Sequence, residues 1–348
     1  MSKLLQYPLL LFFLGVVLRA PAQDLHFSQY YHSPQNLNPA LAGVMAADYR
    51  ISSLYRSQWQ SVPVPYLTYT GSFDLKYFLP RHREGFLGGG LLFNYDRAGS
   101  ARWRVAHLGL SLNYSRALNE GDILTAGFQI GRAQRARNVG ALTFANQYDG
   151  EQFDPNRATG EDNLQDNGFG YTDLSVGLNW NFTRRRGRGV GTSSGNLGLS
   201  IAHVNQPELG VYTSTRPRLP ARITVYNFGW IELPGSERLD LFYSVYGTVM
   251  GTSNEAMLGA DLRYHLDAAS GKKVALSLGL HYRPVGINDA LFPVLKVFYE
   301  SWTVGFSYDI NLSEFRVATD GRGGPEVSVI YTITTVKPLK TFRACPIF

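Results

Sequence analysis

Apolar and polar side chains alternate along this chain in segments about as long as a membrane-spanning β-strand. In residues 66–77, one side of an extended strand would carry Leu67, Tyr69, Phe73, Leu75 and Tyr77, and the other side would carry mostly hydroxyl and charged groups. Successive side chains on a strand point to opposite faces, so this pattern gives one apolar face and one polar face. The pattern therefore predicts β-strands along most of the chain.

The strands together predict a closed transmembrane barrel. Fourteen candidate strands lie at residues 47–58, 66–79, 85–96, 102–117, 121–134, 168–183, 194–206, 218–232, 238–250, 255–266, 273–283, 292–300, 301–311 and 326–336. In lipid, a closed barrel satisfies every backbone hydrogen bond and turns its apolar face outward. A soluble β-sandwich or propeller hides that face inside, and alternation alone does not exclude it. We expect an all-β, antiparallel barrel of the outer-membrane type over residues 47–336.

Each strand face has an expected environment. We expect six apolar side chains to face lipid: Leu108, Leu110, Leu112, Val304, Phe306 and Ile310. Four polar side chains should face the lumen: Ser111, Asn113, Ser307 and Asp309.

The first residues predict export across the inner membrane. Lys3 precedes an apolar run at residues 7–18, and the small residues Ala20 and Ala22 follow it. This arrangement is typical of a signal peptide, and the run is too short to span a bilayer. We therefore expect residues 1–22 to be removed, which would leave Gln23 as the new N-terminus.

Composition narrows the function classes. The formal net charge is +6, and it becomes +4 when Lys3 and Arg19 leave with residues 1–22. The remaining charge is spread along the chain, whereas nucleic-acid binding would need a concentrated basic face. The single cysteine, Cys345, excludes an internal disulfide framework and a cysteine-based metal cluster, so we expect an unpaired thiol in a C-terminal tail at residues 337–348.

No catalytic, metal or cofactor constellation stands out. The seven histidines form no close pair on one strand face, and no spacing selects a nucleophile with a base and an orienting group. Gly88, Gly89 and Gly90 lie within a strand, so we expect close packing or a bend in the barrel wall rather than a phosphate loop. Acidic residues between 149 and 166 lack the spacing of a calcium loop, and we expect solvated carboxylates there.

Several stretches resemble the PorP/SprF family of outer-membrane proteins, which belong to the type IX secretion system of Bacteroidetes. The stretches are QDLHFSQYY at residues 23–31, NPALAG at 38–43, DYR at 48–50, YRSQW at 55–59, SFD at 72–74, HVNQP at 203–207, LP at 219–220, SYDIN at 307–311, GPEVS at 324–328 and CPIF at 345–348. They occur in the family's order across essentially the whole chain after residue 22. One departure is that Phe348 follows Lys337 and Pro338, so we do not expect it to close the last strand as an aromatic often does.

The resemblance implies an accessory component of type IX secretion that recognises other proteins by non-covalent contacts and uses no cofactor. The implied partners are periplasmic lipoprotein or ring components of the secretion machinery and C-terminal sorting domains of secreted adhesins, including gliding adhesins. The alternative is a porin or hydrophobic-solute channel, for which Asp48, Arg50, Arg56, Asp74 and Lys76 offer inward charges. A membrane enzyme is a third possibility, without a residue set to support it.

Two segments are candidate interaction sites. The segment at residues 23–46 precedes the first strand and either docks a periplasmic partner or plugs the lumen. Its candidate residues are Asp24, His26, Phe27, Gln29, Tyr30, Tyr31, Asn38, Pro39 and Gly43. The second is a basic turn that presents Arg184, Arg185, Arg186 and Arg188, either solvated or facing an acidic periplasmic partner.

Loop lengths predict the topology. The connections after odd-numbered strands are the long ones, at about 135–167, 207–217 and 312–325. Because long loops are extracellular in bacterial barrels, we expect an epitope inserted at Asp162 to be labelled on intact cells. An epitope at Gly187 should be labelled only after permeabilisation, and the reverse result would show that the strand count is wrong by one.

Overall fold

The computed structural model describes residues 24–58, 66–79, 84–99, 103–138, 142–160, 168–184, 192–209, 217–236, 238–266, 273–284, 290–312 and 319–335. The predicted signal peptide, the C-terminal tail, Arg185, Arg186, Arg188 and both epitope positions lie outside these residues. Within the described residues, no helix is both long and apolar enough to cross a membrane.

Fourteen antiparallel strands form one closed barrel, as predicted. The strands are β1 (Tyr49–Gln58), β2 (Tyr66–Phe78), β3 (Gly85–Ala98), β4 (Trp103–Asn119), β5 (Asp122–Ala136), β6 (Phe169–Arg184), β7 (Ser193–Ala202), β8 (Arg222–Glu232), β9 (Leu239–Met250), β10 (Ser253–His265), β11 (Val274–Arg283), β12 (Ala290–Tyr299), β13 (Trp302–Asn311) and β14 (Arg322–Ile333). Each strand pairs with its neighbours in sequence, and β1 pairs with β14 from Tyr49 opposite Ile333 to Arg56 opposite Glu326. Closure leaves no free strand edge.

The predicted faces are confirmed. Leu108 and Leu110 on β4 and Phe306 on β13 point outward and are exposed, as are the other three apolar positions. Ser111 and Ser307, like Asn113 and Asp309, point inward and are buried. The outer surface is therefore an apolar band of the kind that lipid covers.

Residues 24–48 lie inside the barrel and form the lumen segment. They contain 3₁₀ turns at Tyr30–His32 and Pro39–Leu41 and one α-helical turn, α1, at Pro34–Leu37. Most of their side chains are buried. The lumen is therefore filled by the chain that precedes β1.

The sheet is shorter than predicted between β7 and β8. The sequence pattern carries the seventh strand to residue 206 and starts the eighth at 218, whereas β7 ends at Ala202 and β8 begins at Arg222. His203 and Gln206 adopt positive φ angles of 56° and 41°, which a strand does not allow. The chain leaves the sheet there, and Asn205 bonds to the part of β6 that extends beyond its pairing with β7: its Oδ1 accepts from Leu174 N and its Nδ2 donates to Thr172 O.

We predict that Leu110→Arg destabilises the folded barrel by about 2–4 kcal/mol, because Leu110 lies near the middle of β4, where a charge would meet the bilayer midplane. Leu118→Arg, near the end of the same strand, is the matched control and should cost about 0–1 kcal/mol. Equilibrium unfolding in lipid vesicles measures both values. Equal costs would contradict the assignment of the outward face to lipid.

Candidate functional site

The lumen segment runs through the barrel from one end to the other. We name the two ends by their connections: the odd-loop end, where odd-numbered strands finish, and the even-loop end, where even-numbered strands finish. Asp24 lies at the odd-loop end beside Arg222, the first residue of β8. Asp48 lies at the even-loop end, where its backbone joins β14 and β2 through Ile333 O and Lys76 N. The segment is thus held to the barrel wall at both ends.

Glu326 on β14 holds the backbone of the segment. Its Oε2 accepts a hydrogen bond from Ser28 N at 2.8 Å, and its Oε1 accepts one from Gln29 N at 2.7 Å. Both donors precede the first 3₁₀ turn and have no strand partner. A buried carboxylate that accepts two backbone N–H groups satisfies both of them at once.

Charged side chains from the wall converge on Ser28. Arg56 Nη2 lies 2.7 Å from Asp309 Oδ2, and Arg56 Nη1 lies 3.2 Å from Glu326 Oε2. Arg283 contacts Asp309 at 3.2 Å and Glu255 at 3.2 Å. The Ser28 hydroxyl accepts from both guanidinium groups at 2.9 Å and donates to Asp309 Oδ1 at 2.7 Å. Such buried charges are tolerable only when paired, and here the lumen segment completes the pairing.

The next side chains continue these contacts. Gln29 Nε2 donates to Ser307 Oγ at 3.2 Å, and Gln29 Oε1 accepts from Ser328 Oγ at 2.8 Å. The His32 ring binds the same Ser328 hydroxyl through Nδ1 at 2.7 Å. These bonds fix the first turn against β13 and β14.

Asn38 fixes the middle of the segment. Its Oδ1 accepts from Ala40 N at 2.8 Å and caps the second 3₁₀ turn. Its Nδ2 donates to Leu178 O at 2.9 Å, Leu199 O at 3.2 Å and the Tyr226 hydroxyl at 3.0 Å. One amide thereby joins the segment to β6, β7 and β8.

Glycines in the wall make room for the second 3₁₀ turn. A Cβ atom on Gly88 would overlap the Ala42 carbonyl oxygen, and one on Gly127 would lie 2.7 Å from Ala40 N. By contrast, a Cβ on Gly89 would meet nothing closer than 3.7 Å. The glycine run of β3, predicted to serve strand packing or a bend, thus lets backbone approach backbone.

A salt bridge holds the segment near the even-loop end. Arg50 Nη2 lies 2.6 Å from Asp74 Oδ2 and 3.1 Å from Leu41 O. The same Asp74 oxygen accepts from Gly43 N at 2.7 Å, and Lys76 Nζ donates to Met45 O at 2.8 Å. The inward charges that a porin would need at a constriction therefore bind the lumen segment.

A histidine bridge holds the other end. His203 Nδ1 lies 2.8 Å from Asp173 Oδ1, and its Nε2 lies 3.1 Å from Asp24 Oδ2. Burial opposes a charge on the ring, but hydrogen bonds and attraction from the two carboxylates outweigh it and raise the pKa of His203 to about 9. The pKa of Asp24 is lowered, because Arg222 and His203 outweigh its burial. His203 is thus a cation at neutral pH and bridges two anions.

One side of the lumen is apolar, contrary to the wet interior that alternation implies. Tyr30 and Tyr31 pack with Leu37 and Leu41 against inward residues of β8, β9, β10 and β12, namely Tyr226, Phe242, Tyr246, Met257, Phe292 and Val294. The Tyr31 and Phe242 ring centroids are 4.8 Å apart in an edge-to-face arrangement. Because the segment excludes water here, inward aromatic residues are stable.

The predicted interaction residues have clear positions. Phe27, Gln29, Tyr30, Tyr31, Asn38 and Pro39 are buried in the lumen, and Gly43 is buried beside Leu75 and Gly88. A partner in the periplasm cannot reach them while the segment is in place, so they have the geometry of a plug. Arg184, at the end of β6, is partly exposed and pairs with Asp122 at 2.6 Å.

Sequence reasoning places Arg50, Arg56, Asp74 and Lys76 inward as porin charges, but it does not identify any wall residue as one that holds the segment. Asp309 was assigned to the lumen but without a role, and Glu326, Arg283, Glu255 and His203 were not singled out as charges. The available signal was a charged residue at an inward position of an otherwise alternating strand. Spacing along the chain does not show that such residues from distant strands meet.

Comparison with protein-family models shows which family this chain belongs to. Residues 20–331 match the family model described as "Type IX secretion system membrane protein PorP/SprF". The chain belongs to the PorP/SprF family. Membership in this membrane-protein family, together with a closed barrel with an apolar outer surface, indicates an outer-membrane location.

The stretches that resemble the PorP/SprF family meet at the lumen segment. Arg56, Asp74, His203, Asp309 and Glu326 come from five of these stretches, and each binds the segment directly. The HVNQP stretch supplies both the histidine bridge and the Asn205 contact with β6. The scattered stretches thus form one contact set around residues 24–48.

Solved structures that resemble this chain are bacterial barrels. The β domain of the Bordetella autotransporter BrkA is 9% identical at a TM-score of 0.44, over 84% of this chain and 100% of that chain. A FadL homologue of Pseudomonas aeruginosa is 11% identical at 0.46, over 85% and 92%. The translocator domain of NalP from Neisseria meningitidis is 12% identical at 0.34, over 87% and 95%. These likenesses do not bear on function, and comparison with curated proteins found no match.

No metal site is evident among the described residues, where no group of three or more His, Cys, Asp or Glu side chains is placed to hold an ion. Asp149 and Asp154, two of the acidic loop residues, cap local turns by accepting backbone N–H bonds from Gln152 and Asn156. Of the other acidic residues between 149 and 166, Glu151 is exposed, and Glu161, Asp162 and Asp166 lie outside the described residues.

We predict that Gly88→Ala displaces the lumen segment and raises ion conductance in planar bilayers above the low value expected of the wild type. The added Cβ would overlap backbone of the segment, and backbone cannot rotate away as a flexible side chain can. Gly89→Ala on the same strand is the matched control and should conduct like the wild type. If the two variants conduct equally, the segment does not block the lumen.

Proposed function

We propose that this PorP/SprF protein is an accessory component of type IX secretion that works by docking other proteins, without catalysis and without a cofactor. The partners are periplasmic lipoprotein or ring components of the machinery. The cargo is secreted adhesins, including gliding-type adhesins, recognised through their C-terminal sorting domains. Family membership supports the secretion role.

The observation that carries the docking role is the filled lumen. A porin needs a continuous aqueous path with charges free to meet ions. Here Arg50, Arg56, Asp74 and Lys76 are each bonded to the lumen segment or to its anchors. Because the lumen is filled, other proteins would be recognised by the rims and loops of the barrel.

The docking face then lies on the even-loop rim rather than on the segment. Leu118 is exposed at the end of β4, and Arg184 is exposed at the end of β6. The two sites are adjacent because Thr183 N donates to Gly121 O at 2.6 Å and Arg184 pairs with Asp122. An apolar side chain beside a basic one suits a partner with an acidic, partly apolar surface.

We predict that Leu118→Asp combined with Arg184→Glu weakens co-purification of a type IX lipoprotein at least about tenfold, because both changes oppose an acidic partner. The protein would be purified from cross-linked outer membranes and the lipoprotein quantified by mass spectrometry. Val204→Asp combined with Arg218→Glu makes the same changes at exposed positions of the odd-loop end, and it should leave the lipoprotein bound.

Two results would overturn the proposal. Retention of the lipoprotein by the Leu118 and Arg184 double variant would remove the even-loop rim as the docking face. A steady open-channel current through the wild-type barrel would instead favour the porin.

A further inference from the structure

A polar cavity opens at the odd-loop end above the lumen segment, between β3 and β8. Its volume is about 80 Å³, which is room for several water molecules or for one small solute. The charged and polar groups that matter here are Asp24, Gln35, Asp96, His107, Arg135, Asp173, His203 and Arg222. The docking role described above makes no use of this cavity.

Most charges around the cavity neutralise one another. Asp24 lies 2.6 Å from Arg222 and 3.1 Å from His203. The other nitrogen of His203 lies 2.8 Å from Asp173. With His203 protonated, these four groups carry two negative and two positive charges and leave no net charge.

Two further charges face the cavity from β3 and β5, the two strands that flank β4. Asp96 Oδ1 accepts from the Thr68 hydroxyl at 2.7 Å, and the Arg135 guanidinium lies 5.7 Å from the Tyr171 ring centre. Among the described residues, no ion pair within 4.0 Å engages Asp96 or Arg135. The carboxylate of Asp96 and the guanidinium of Arg135 therefore remain available to pair with a ligand.

The sheet register fixes the spacing of these two charges. Asp96 on β3 pairs with Val105 on β4, and Val105 pairs with Arg135 on β5. Neighbouring strands are about 4.8 Å apart, so the Cα atoms of Asp96 and Arg135 are about 10 Å apart. Val105 and Ala133 give the space between them a small apolar wall.

Four buried polar atoms of residues around the cavity have no hydrogen-bond partner in the protein. Gln35 is 2% exposed, and its Oε1 has no hydrogen-bond partner in the protein. The same is true of His107 Nε2, Arg135 Nε and Arg222 Nε. Buried polar atoms are nearly always bonded, so this group of unpaired atoms beside the cavity is unusual, although neighbouring protein atoms cover each of them.

We propose that this cavity binds a small zwitterion, whose ammonium group pairs with Asp96 and whose carboxylate pairs with Arg135. An anion or a cation alone would leave one of the two wall charges unpaired. A free α-amino acid and a very short peptide share this chemistry.

The test uses calorimetric titration of the purified protein in detergent. The probes are L-alanine, N-acetyl-L-alanine, which lacks the ammonium group, and L-alaninamide, which lacks the carboxylate. Wild-type protein should bind L-alanine about ten- to a hundredfold more tightly than either analogue, since each charged hydrogen bond contributes about that factor. Trialanine distinguishes the sources: tighter binding than L-alanine identifies peptides, and weaker binding identifies free amino acids.

The variants assign each charge. In Asp96→Asn, L-alanine should bind no better than N-acetyl-L-alanine, and in Arg135→Gln it should bind no better than L-alaninamide. Arg116→Gln, an exposed arginine at the opposite end of β4, is the control and should bind all probes like the wild type. The proposal is overturned if no probe binds the wild type. It is also overturned if L-alanine and its two analogues bind the wild type equally, or if each cavity variant weakens the binding of these three probes by the same factor.

Discussion

The interior volume of a fourteen-stranded barrel is the constraint on which the other features of this structure depend. A barrel of about eight strands is just filled by its own inward side chains, whereas one of about sixteen leaves a channel. At fourteen strands the space is too large for side chains alone. Residues 24–48 fill this space. Each inward side chain of the wall is therefore best understood together with the part of the lumen segment that it contacts.

This constraint explains the unusual distribution of charge. Arg56, Arg283, Asp309 and Glu326 are buried within a barrel whose outer surface contacts lipid, an arrangement that would be costly without complete pairing. Ser28 supplies the hydroxyl and Gln29 the backbone N–H that complete it. Where the segment presents Tyr30 and Tyr31, the inward side chains of the wall are aromatic or aliphatic and pack against them. The interior is therefore polar on one side and apolar on the other.

Local pattern was sufficient to predict the barrel but not its contents. Thr68, Thr70 and Asp74 alternate with Tyr69 and Phe73, and since strand period is a local property, the two faces of β2 follow from sequence. Glu326 and Ser28 are 298 positions apart, and no local rule links them. The end of β7 was missed for a similar reason: His203 and Asn205 leave the strand to reach Asp24 and β6, partners that the sequence does not bring near them.

The bond between Ser28 and Glu326 has a consequence for the order of assembly. Residues 24–48 are synthesised before any strand, yet their backbone is held by the last strand of the barrel, at a contact of very high sequence separation. The segment cannot acquire its final hydrogen bonds until β14 has joined β1. The last of these bonds therefore form at closure, and a barrel that lacks its last strand leaves the backbone N–H groups of Ser28 and Gln29 without their acceptor.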